Sequence, residues 1–312
     1  MSGKFLGIDI GGTKVMLALV SAEGVTLKRN RMETRAEDGP RRVVERIAGV
    51  ARETTGGEEI TAVGLGVPGP IDFSRGLVTL APNLGWKNIP IVDLFAEHLE
   101  WPLFLENDAL VAAWGEKTLG AGQNFDHFIY MTISTGIGGG LILDGKLYRG
   151  AYGTGGELGH MIVDPSGPAC GCGNQGCLEV MAAGRALARM GREALEQGQW
   201  PEGPRPEGIT GSTITSWARA GDQPSLKILN RQARYLGLGL ANLVHILDPQ
   251  AFVLGGGVME AADLLLPRIQ AAMDDYLMPG YGQRLQLLPA RLGDIGGALG
   301  AAMVARDFIP KK

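Results

Sequence analysis

Phe5-Leu-Gly-Ile-Asp9-Ile-Gly-Gly-Thr-Lys14 lies near the start of the sequence, and an apolar run at residues 15–20 follows it. Two apolar runs around paired glycines predict antiparallel strands joined by a tight turn. The backbone N–H groups of such a tip can bind an anion, and an acid directly before it suits a divalent cation that bridges to phosphate. The hairpin therefore predicts a nucleotide phosphate loop, with an ordinary glycine hairpin as the alternative.

The same design recurs in the middle of the chain. An apolar strand at residues 127–134 is followed by Thr135-Gly-Ile-Gly-Gly-Gly140 and a second apolar run at 141–143. Two such hairpins, far apart in sequence, predict two similar domains that face one phosphate chain. We expect the first domain at residues 1–119 plus 296–312 and the second at 120–295.

Between the hairpins, apolar periodicities of strand and helix type alternate, which predicts an α/β protein with central sheets. Helices are expected at residues 40–51, 91–99, 109–119, 182–196, 225–247 and 297–306, strands at 61–67, 103–105, 251–254 and 285–288, and a surface loop at 200–208.

All three cysteines lie in Cys170-Gly-Cys172-Gly-Asn-Gln-Gly-Cys177, and His160 precedes them. One histidine and three cysteines make a closed tetrahedral Zn²⁺ site, with no position left for a reactive water. The sequence therefore predicts a structural zinc ion, although three small buried hydrophobic residues would also fit. Because Glu157 and Glu179 flank this segment, we expect the zinc to hold these two carboxylates in place.

Composition narrows the classes of function. The chain has 312 residues, 45% of them hydrophobic and 20% charged, as in soluble globular proteins. A net charge of -4 gives no reason to expect a nucleic acid or an anionic membrane as partner. The first apolar run contains Asp9 and is too short for a signal peptide or a membrane span. Clustered cysteines of odd number suit a reducing compartment, so we expect a cytoplasmic protein.

With these features in hand, the sequence resembles the ROK family of sugar kinases and sugar-responsive repressors, and within it the ATP-dependent bacterial glucokinases. The motifs that carry the resemblance are Asp9-Ile-Gly-Gly-Thr-Lys14, Val67-Pro-Gly-Pro70, Ala81-Pro-Asn-Leu84, Glu106-Asn-Asp108, Ser134-Thr-Gly-Ile-Gly-Gly-Gly140, Glu157-Leu-Gly-His160, Cys170-Gly-Cys-Gly-Asn-Gln-Gly-Cys-Leu-Glu179 and Leu254-Gly-Gly-Gly257. The resemblance implies a two-domain, actin-like and hexokinase-like (ribonuclease H-like) fold with a cleft that sugar binding closes.

The resemblance also implies a role for each matched residue. Asp108 resembles the catalytic base, although an aspartate here could merely cap its helix. The sugar-binding set that it implies is Gly69, Asn83, Asn107, Asp108, Glu157, His160 and Glu179, of which Glu157 and Glu179 could alternatively be solvated loop acids. The nucleotide set that it implies is Asp9 for Mg²⁺, Gly11, Gly12, Thr13 and Lys14 for the first phosphate loop, Thr135 and Gly136 for the second, and Gly255, Gly256 and Gly257 for adenosine. The zinc ligands are expected to be His160, Cys170, Cys172 and Cys177.

The activity implied is transfer of phosphate from ATP to the 6-hydroxyl of glucose. N-acetylmannosamine, N-acetylglucosamine, mannose, allose and fructose stay open as substrates. A sugar-sensing transcriptional regulator is a less favoured alternative, because such proteins carry a helix-turn-helix segment before the first hairpin and the first strand is expected here at about Lys4. A homodimer or homotetramer is expected by resemblance.

Overall fold

The computed structural model describes residues 3–200 and 208–309, so the predicted loop at 200–208 lies almost entirely outside the described residues. The strands are β1 (Lys4–Ile10), β2 (Lys14–Ser21), β3 (Thr26–Glu33), β4 (Ala62–Val67), β5 (Ile71–Asp72), β6 (Leu77–Ala81), β7 (Trp86–Ile89), β8 (Leu103–Asn107), β9 (Phe128–Ile133), β10 (Ile137–Leu143), β11 (Lys146–Tyr148), β12 (Ala251–Gly255) and β13 (Gln286–Pro289). The α-helices are α1 (Pro40–Thr55), α2 (Ile91–Ala96), α3 (Asp108–Leu119), α4 (Leu178–Ala182), α5 (Gly184–Glu196), α6 (Gly211–Arg219), α7 (Gln223–Leu247), α8 (Ala262–Asp274) and α9 (Gly296–Phe308).

The chain forms two compact units, and the first comprises Met1–Asp126, Gly140–Gly156 and Ala290–Lys312. Its main sheet has the strand order β3-β2-β1-β4-β8, in which β1 and β2 form the predicted antiparallel hairpin and β1, β4 and β8 are parallel. Alternate side chains of the sheet pack in a core with α1 on one face and with α9 on the other. Strands β5, β6 and β7 form a separate small antiparallel sheet.

Helix α9 lies unusually close to the first sheet because two strand residues have no side chain. A Cβ atom on Gly7 would lie 1.8 Å from the carbonyl oxygen of Ala298, and one on Gly64 would lie 1.8 Å from that of Ala301. Any larger residue at either position would push the helix away from the sheet. The two glycines therefore set the distance between β1, β4 and the helix.

The second unit comprises His127–Gly139 and Glu157–Pro289. The second main sheet has the order β11-β10-β9-β12-β13, with β9, β12 and β13 parallel, and the boundary between the units falls within β10. Helix α7 presents a continuous buried stripe that includes Leu229, Leu236 and Leu240, as its sequence periodicity predicts. Within the described residues, no helix combines the length and apolarity needed to cross a membrane.

The division into units differs from the predicted one in three segments. Residues 120–126, 140–156 and 290–295 were predicted in the second domain, whereas they are compact with the first unit. The reason is their contacts with α3 and β8. A Cβ on Gly140 would lie 2.5 Å from that of Ala113, and the Arg149 side chain pairs with Glu106. The backbone N–H groups of residues 291 and 292 donate to the buried carboxylate of Glu116.

One predicted helix is divided. The sequence predicts a helix at residues 182–196, but Ala183 is extended (φ -70°, ψ 173°) and separates α4 from α5. The backbone N–H of Gly184 donates to the carbonyl of Ser134 at 2.7 Å, which ties this break to the end of β9. The interruption places the start of α5 against the second hairpin.

Candidate functional site

The first glycine tip is held in shape by hydrogen bonds from both sides. The Gly11 N–H donates to the Lys14 carbonyl at 2.9 Å and closes the turn. The buried Thr34 reaches the tip from the end of β3, donating its hydroxyl to the Gly11 carbonyl at 2.6 Å and its N–H to the Thr13 carbonyl at 3.0 Å. The Lys14 side chain pairs with Asp294 at 2.9 Å. The tip is therefore a preorganised loop with its backbone braced.

Asp9 ends β1 beside this tip, and its environment disfavours a bare negative charge. Burial and, to a smaller extent, the nearby Asp108 carboxylate raise the pKa of Asp9 from 3.8 to about 7. The charge of Lys14 lowers this pKa, but by less. The Asp9 carboxylate occupies the space that a side chain on Gly297, in the first turn of α9, would need. Two neighbouring carboxylates that repel each other, next to an anion-binding tip, are a donor set that fits Mg²⁺.

The turn from β8 into α3 presents Asp108. Asn107 caps α3, and its Oδ1 accepts from the N–H groups of Ala109 at 2.9 Å and Leu110 at 3.2 Å. The interpretation of Asp108 as the helix cap was therefore wrong. Asp108 is the first residue of α3, and its Oδ1 accepts from the Ala109 N–H at 2.8 Å. A carboxylate at this point lies at the positive end of the helix dipole, where a negative charge is stabilised.

Two more predicted sugar residues belong to the same unit as this turn. The Asn107 Nδ2 donates to the Gly69 carbonyl at 3.2 Å. Gly69 has φ +94°, and a Cβ there would lie 2.0 Å from the Leu80 carbonyl oxygen. A Cβ on Gly12 would lie 3.1 Å from the Cβ of Asn83, an exposed residue of a 3₁₀ turn. The first unit thus brings Gly69 to Asn107, Asn83 to the glycine tip, and Asp9 near Asp108.

In the second unit, the second glycine tip meets Glu179. The Ser134 N–H donates to the Gly136 carbonyl at 2.8 Å, which forms the turn between β9 and β10. The Glu179 Oε2 accepts from the Ile137 N–H at 3.0 Å and would lie 2.3 Å from a Cβ on Gly136. Glycine at 136 therefore leaves room for the carboxylate of Glu179.

The four predicted zinc ligands converge in the second unit. One donor atom from each of His160, Cys170, Cys172 and Cys177 lies within 4.8 Å of all the others. The distance from Cys170 Sγ to His160 Nδ1 is 3.6 Å, and that between the Sγ atoms of Cys172 and Cys177 is 3.6 Å. Zinc bonds of about 2.3 Å to sulfur and about 2.0 Å to nitrogen place tetrahedral donor atoms roughly 3.5–3.8 Å apart. The donor set therefore fits Zn²⁺ in both chemistry and spacing.

The protonation of the cysteines also matters for a metal. Burial raises the pKa of the Cys177 thiol, whereas a hydrogen bond to the backbone of Asn174 lowers the pKa of the Cys172 thiol. Thiolates are the ligands of zinc, so binding of the metal must release the proton that burial favours on Cys177.

The zinc segment is joined directly to the two predicted sugar carboxylates. Cys177 is the residue before α4, and Glu179 lies in the first turn of that helix. Glu157 precedes a 3₁₀ turn that contains His160, and its Oε2 lies 4.0 Å from His160 Nε2. His160 therefore presents Nδ1 to the sulfur atoms and Nε2 toward Glu157, so that one ring can bind a metal and still donate elsewhere.

A cavity of about 890 Å³ lies in the second unit, beside the second hairpin. Its lining includes Thr135 and Gly257, which the sequence predicted for the nucleotide, but not Gly136, Gly255 or Gly256. The backbone requires glycine at position 256, because φ there is +89° and a Cβ would lie 2.4 Å from the Ile133 carbonyl oxygen. A 3₁₀ turn begins at Gly257, and α8 begins only at residue 262.

Most of the cavity wall was missed in the sequence. It comes from α5 and from α6 with the residue before it, which supply Gly184, Leu187, Ala188, Thr210, Gly211 and Thr215, and from the 3₁₀ turn Gly257–Ala261, which supplies Glu260. One sequence feature could have indicated this wall, namely the mixture of small and hydroxyl residues at 210–216. Such a composition is unusual for a helix, and it leaves polar groups and space at the helix surface. The wall combines apolar side chains, hydroxyl groups and three arginines, as a purine nucleoside with phosphates would require.

These features define an α/β protein with two glycine-tipped hairpins and a His-Cys cluster. The ROK family description matches residues 5–308, so the chain belongs to the ROK family. The predicted fold class, actin-like and hexokinase-like α/β, is confirmed by similarity to solved structures of the family.

Individual relatives extend the comparison. A glucokinase of Thermotoga maritima is 37% identical over 311 residues, covering 98% of each chain. A ROK glucokinase from Streptomyces griseus, solved with glucose and AMPPNP, has a TM-score of 0.85 and 38% identity, covering 97% of this chain and 99% of that one. A xylose repressor of Bacillus spizizenii is 32% identical over 99% of this chain but only 78% of its own length.

Proposed function

We propose that this protein is an ATP-dependent hexose kinase that transfers the γ-phosphoryl group of ATP to the 6-hydroxyl of glucose. The observation that carries the proposal is the closeness of Asp108, at the first turn of α3, to Asp9 beside the braced glycine tip. A base and a cation-binding carboxylate next to a phosphate loop are the parts that phosphoryl transfer needs. The glucokinase relatives, one of them bound to glucose and AMPPNP, support glucose as acceptor and ATP as donor.

Asp108 is the proposed base. Its carboxylate accepts the proton of the 6-hydroxyl while that oxygen forms a bond to the γ-phosphorus and the bond to the ADP oxygen breaks. Its position at the start of α3 places the carboxylate at the positive end of the helix dipole and fixes its backbone. Mg²⁺, when bound, neutralises charge on the phosphates, and Asp9 is the residue proposed to hold it.

The sugar is proposed to bind through carboxylate, amide and imidazole groups. A set of fixed polar groups suits a polyol, because each missing hydroxyl would leave a protein group unpaired. The proposed ligands are Gly69, Asn83, Asn107, Asp108, Glu157, His160 and Glu179. His160 can serve both sugar and zinc, since its two ring nitrogens face different partners.

The nucleotide is proposed to bind along both glycine tips, with Gly11, Gly12, Thr13 and Lys14 at one and Thr135 and Gly136 at the other. Adenosine is proposed to occupy the 890 Å³ cavity, with Gly257 and the missed residues of α5 and α6 as its walls. Gly255 and Gly256 then act through the backbone geometry that opens this cavity.

We further propose a structural Zn²⁺ ion on His160, Cys170, Cys172 and Cys177. It would fix the start of α4 and the 3₁₀ turn before it, and through them Glu179 and Glu157. Metal analysis of the purified protein should give one zinc per chain, and Cys177→Ser should abolish it. Protein without bound zinc that phosphorylates hexoses at the full rate would contradict the structural role.

The test of the kinase is an assay of ADP release, coupled to a spectroscopic readout, with and without Mg²⁺. Glucose, mannose, allose, fructose, N-acetylmannosamine and N-acetylglucosamine are compared as acceptors, and polyphosphate is compared with ATP as donor. Turnover should depend on glucose. Asp108→Asn should lower kcat by about 10²- to 10⁴-fold, the usual contribution of a general base, while calorimetry still detects glucose binding. A variant with near-normal kcat would show that the base is another residue.

A second candidate function is a sugar-responsive transcriptional regulator, which the similarity to a xylose repressor favours. The net charge of -4 does not favour binding to DNA. Gel-shift titration with genomic promoter fragments at about 0.15 M salt separates the two functions, because a specific regulator binds at nanomolar concentration or tighter.

The quaternary state is proposed to be a homodimer or homotetramer, in the cytoplasm. Mass measurement by light scattering after size exclusion tests the first point, and cell fractionation tests the second.

A further inference from the structure

Glu106 is a fully buried carboxylate one residue before the turn that carries Asn107 and Asp108. It lies in β8, paired with Gly66 of β4, and its side chain is 1% exposed. Buried acids are rare in proteins unless they are paired. Its two oxygens have different partners. One accepts from the backbone N–H of Asn107 at 3.0 Å and the other from the Nε of Arg149 at 2.6 Å.

Arg149 comes from a distant part of the chain, directly after β11. Its side chain is 30% exposed, and its guanidinium lies 4.5 Å from the centre of the Phe308 ring. A guanidinium over an aromatic face is attracted to the ring and loses little freedom. The arginine is therefore held between a carboxylate on one side and an aromatic ring on the other.

The ring itself is fixed by α3. Phe308, at the end of α9, packs against Trp114 of α3, with ring centres 5.5 Å apart. The Trp114 indole N–H donates to Asp307 at 2.9 Å. The chain of contacts thus begins at the backbone of Asn107, passes through Glu106, Arg149 and Phe308, and returns to the helix that Asp108 begins.

We propose that Glu106 and Arg149 are positioning residues whose ion pair fixes the Asn107–Asp108 turn and so aims the Asp108 carboxylate at the hydroxyl that it deprotonates. This inference rests on the proposed kinase function. The backbone N–H of Asn107 is the link, because it is bonded to Glu106 on one side of the turn while the Asn107 side chain caps α3 on the other.

The site cannot keep its geometry if either partner is lost. Burial raises the pKa of Glu106 and Arg149 opposes this effect, so removal of the arginine shifts the balance toward the protonated carboxyl. A protonated carboxyl can turn its O–H to another acceptor, and the bond to Asn107 then weakens. A shift of about 1 Å at a catalytic group can cost about 10²-fold in rate.

The experiment compares Arg149→Gln, Arg149→Lys and Glu106→Gln with wild type in the glucose-dependent ADP assay. Each is assayed well below its own melting temperature, so that loss of folded protein does not enter. Arg149→Gln and Glu106→Gln are expected to lower kcat by about tenfold or more, with KM for ATP changed less than about threefold, since the nucleotide residues are untouched. Arg149→Lys keeps the charge and should recover most of kcat.

Arg41→Gln is the matched control. It removes another arginine–glutamate pair of the first unit, with Glu97 at 2.8 Å, but on the exposed surface, and it should leave kcat at the wild-type value. If Arg149→Gln and Glu106→Gln fold and lose stability but keep wild-type kcat, the pair is structural only and the inference is wrong. If wild type shows no hexose-dependent turnover at all, the proposed function fails instead, so the two failures are distinguishable.

Discussion

Asp9 shows how a single functional residue can oppose the stability of the fold. Its pKa is raised from 3.8 to about 7, first by burial and then by the charge of Asp108. The folded protein therefore holds a proton that the unfolded chain has released, and the stability linked to this group is complete below pH about 4 and is lost as the pH rises to about 7. The same ionised carboxylate is the form that binds a cation.

Asp9→Asn removes this ionisation and should stabilise the protein where Asp9 would be charged. Without Mg²⁺ and nucleotide, we expect the variant to exceed wild type by about 1–4 kcal/mol in free energy of unfolding at pH about 8, with a smaller difference at pH about 5. Urea unfolding at both pH values measures it. The variant should at the same time lose most kinase activity. A difference that grows as the pH falls would contradict the assignment.

Gly136 is predicted to be required by the Glu179 carboxylate. In Gly136→Ala, the new Cβ would lie 2.3 Å from Glu179 Oε2, so the carboxylate must move and lose its bond to the Ile137 N–H. We expect KM for glucose to rise about tenfold, which corresponds to about 1.4 kcal/mol of binding. Steady-state kinetics measures the change. Gly171→Ala is the control, because nothing lies within 4 Å of its Cβ, and an equal effect there would refute the argument.

The sequence predicted the residues of the Glu106-Asn107-Asp108 turn, but not which of them caps α3 and which is its first residue. Asn and Asp are both good helix caps, so residue type alone could not decide which of two neighbours begins α3. The β8 ladder decides it, because pairing with β4 continues as far as Asn107 opposite Val67. The cap therefore falls on Asn107, and Asp108 is moved into the first turn.

Among the elements, the contact of α9 with the first sheet gives a clear prediction. Gly64→Ala should destabilise the protein by about 1–3 kcal/mol, because its Cβ would lie 1.8 Å from the Ala301 carbonyl oxygen and the helix must shift. Gly49→Ala, in the middle of α1 with open space at its Cβ, should instead stabilise by about 0.5–1 kcal/mol. Chemical denaturation of both variants measures the contrast. Equal effects would mean that α9 is not packed on β4 as closely as described.

Elements that lack a strong pattern were missed. Strand β3 lies at the sheet edge and is mostly exposed, so its sequence is polar and lacks the alternation of a half-buried strand. Strands β5, β6 and β7 are short and separated by turns, which hides their periodicity. Helix α6 is rich in Ser and Thr, and α8 contains Pro267, so local propensity argued against both. Packing against neighbouring elements decided these four regions, and one sequence does not reveal it.

For the whole chain, the duplication of the glycine hairpin predicted two units, but not the point where the chain passes between them. The second hairpin belongs to both, because its first strand is compact with the second unit and the segment at 140–156 with the first. The sequence shows a single apolar hairpin there and does not indicate that its two halves pack in different units. Arg149, whose role is proposed above, lies in this segment and could not be linked to Glu106 from the sequence.

The proposed sugar site and the nucleotide cavity should respond to different ligands, and this can be measured on the intact protein. A ligand at about 100 times its Kd stabilises the folded state by about 2.7 kcal/mol, so glucose and AMPPNP should each raise the melting temperature by several degrees. Ala188→Tyr, which fills the cavity between α5 and α6, should lose the shift with AMPPNP and keep the shift with glucose. Glu157→Ala should do the reverse, since Glu157 is a proposed sugar ligand that does not line this cavity. Scanning fluorimetry of the three proteins with each ligand gives the full comparison. If Ala188→Tyr keeps the whole nucleotide shift, adenosine binds elsewhere, and if wild type shows no shift with glucose, the hexose proposal itself is contradicted.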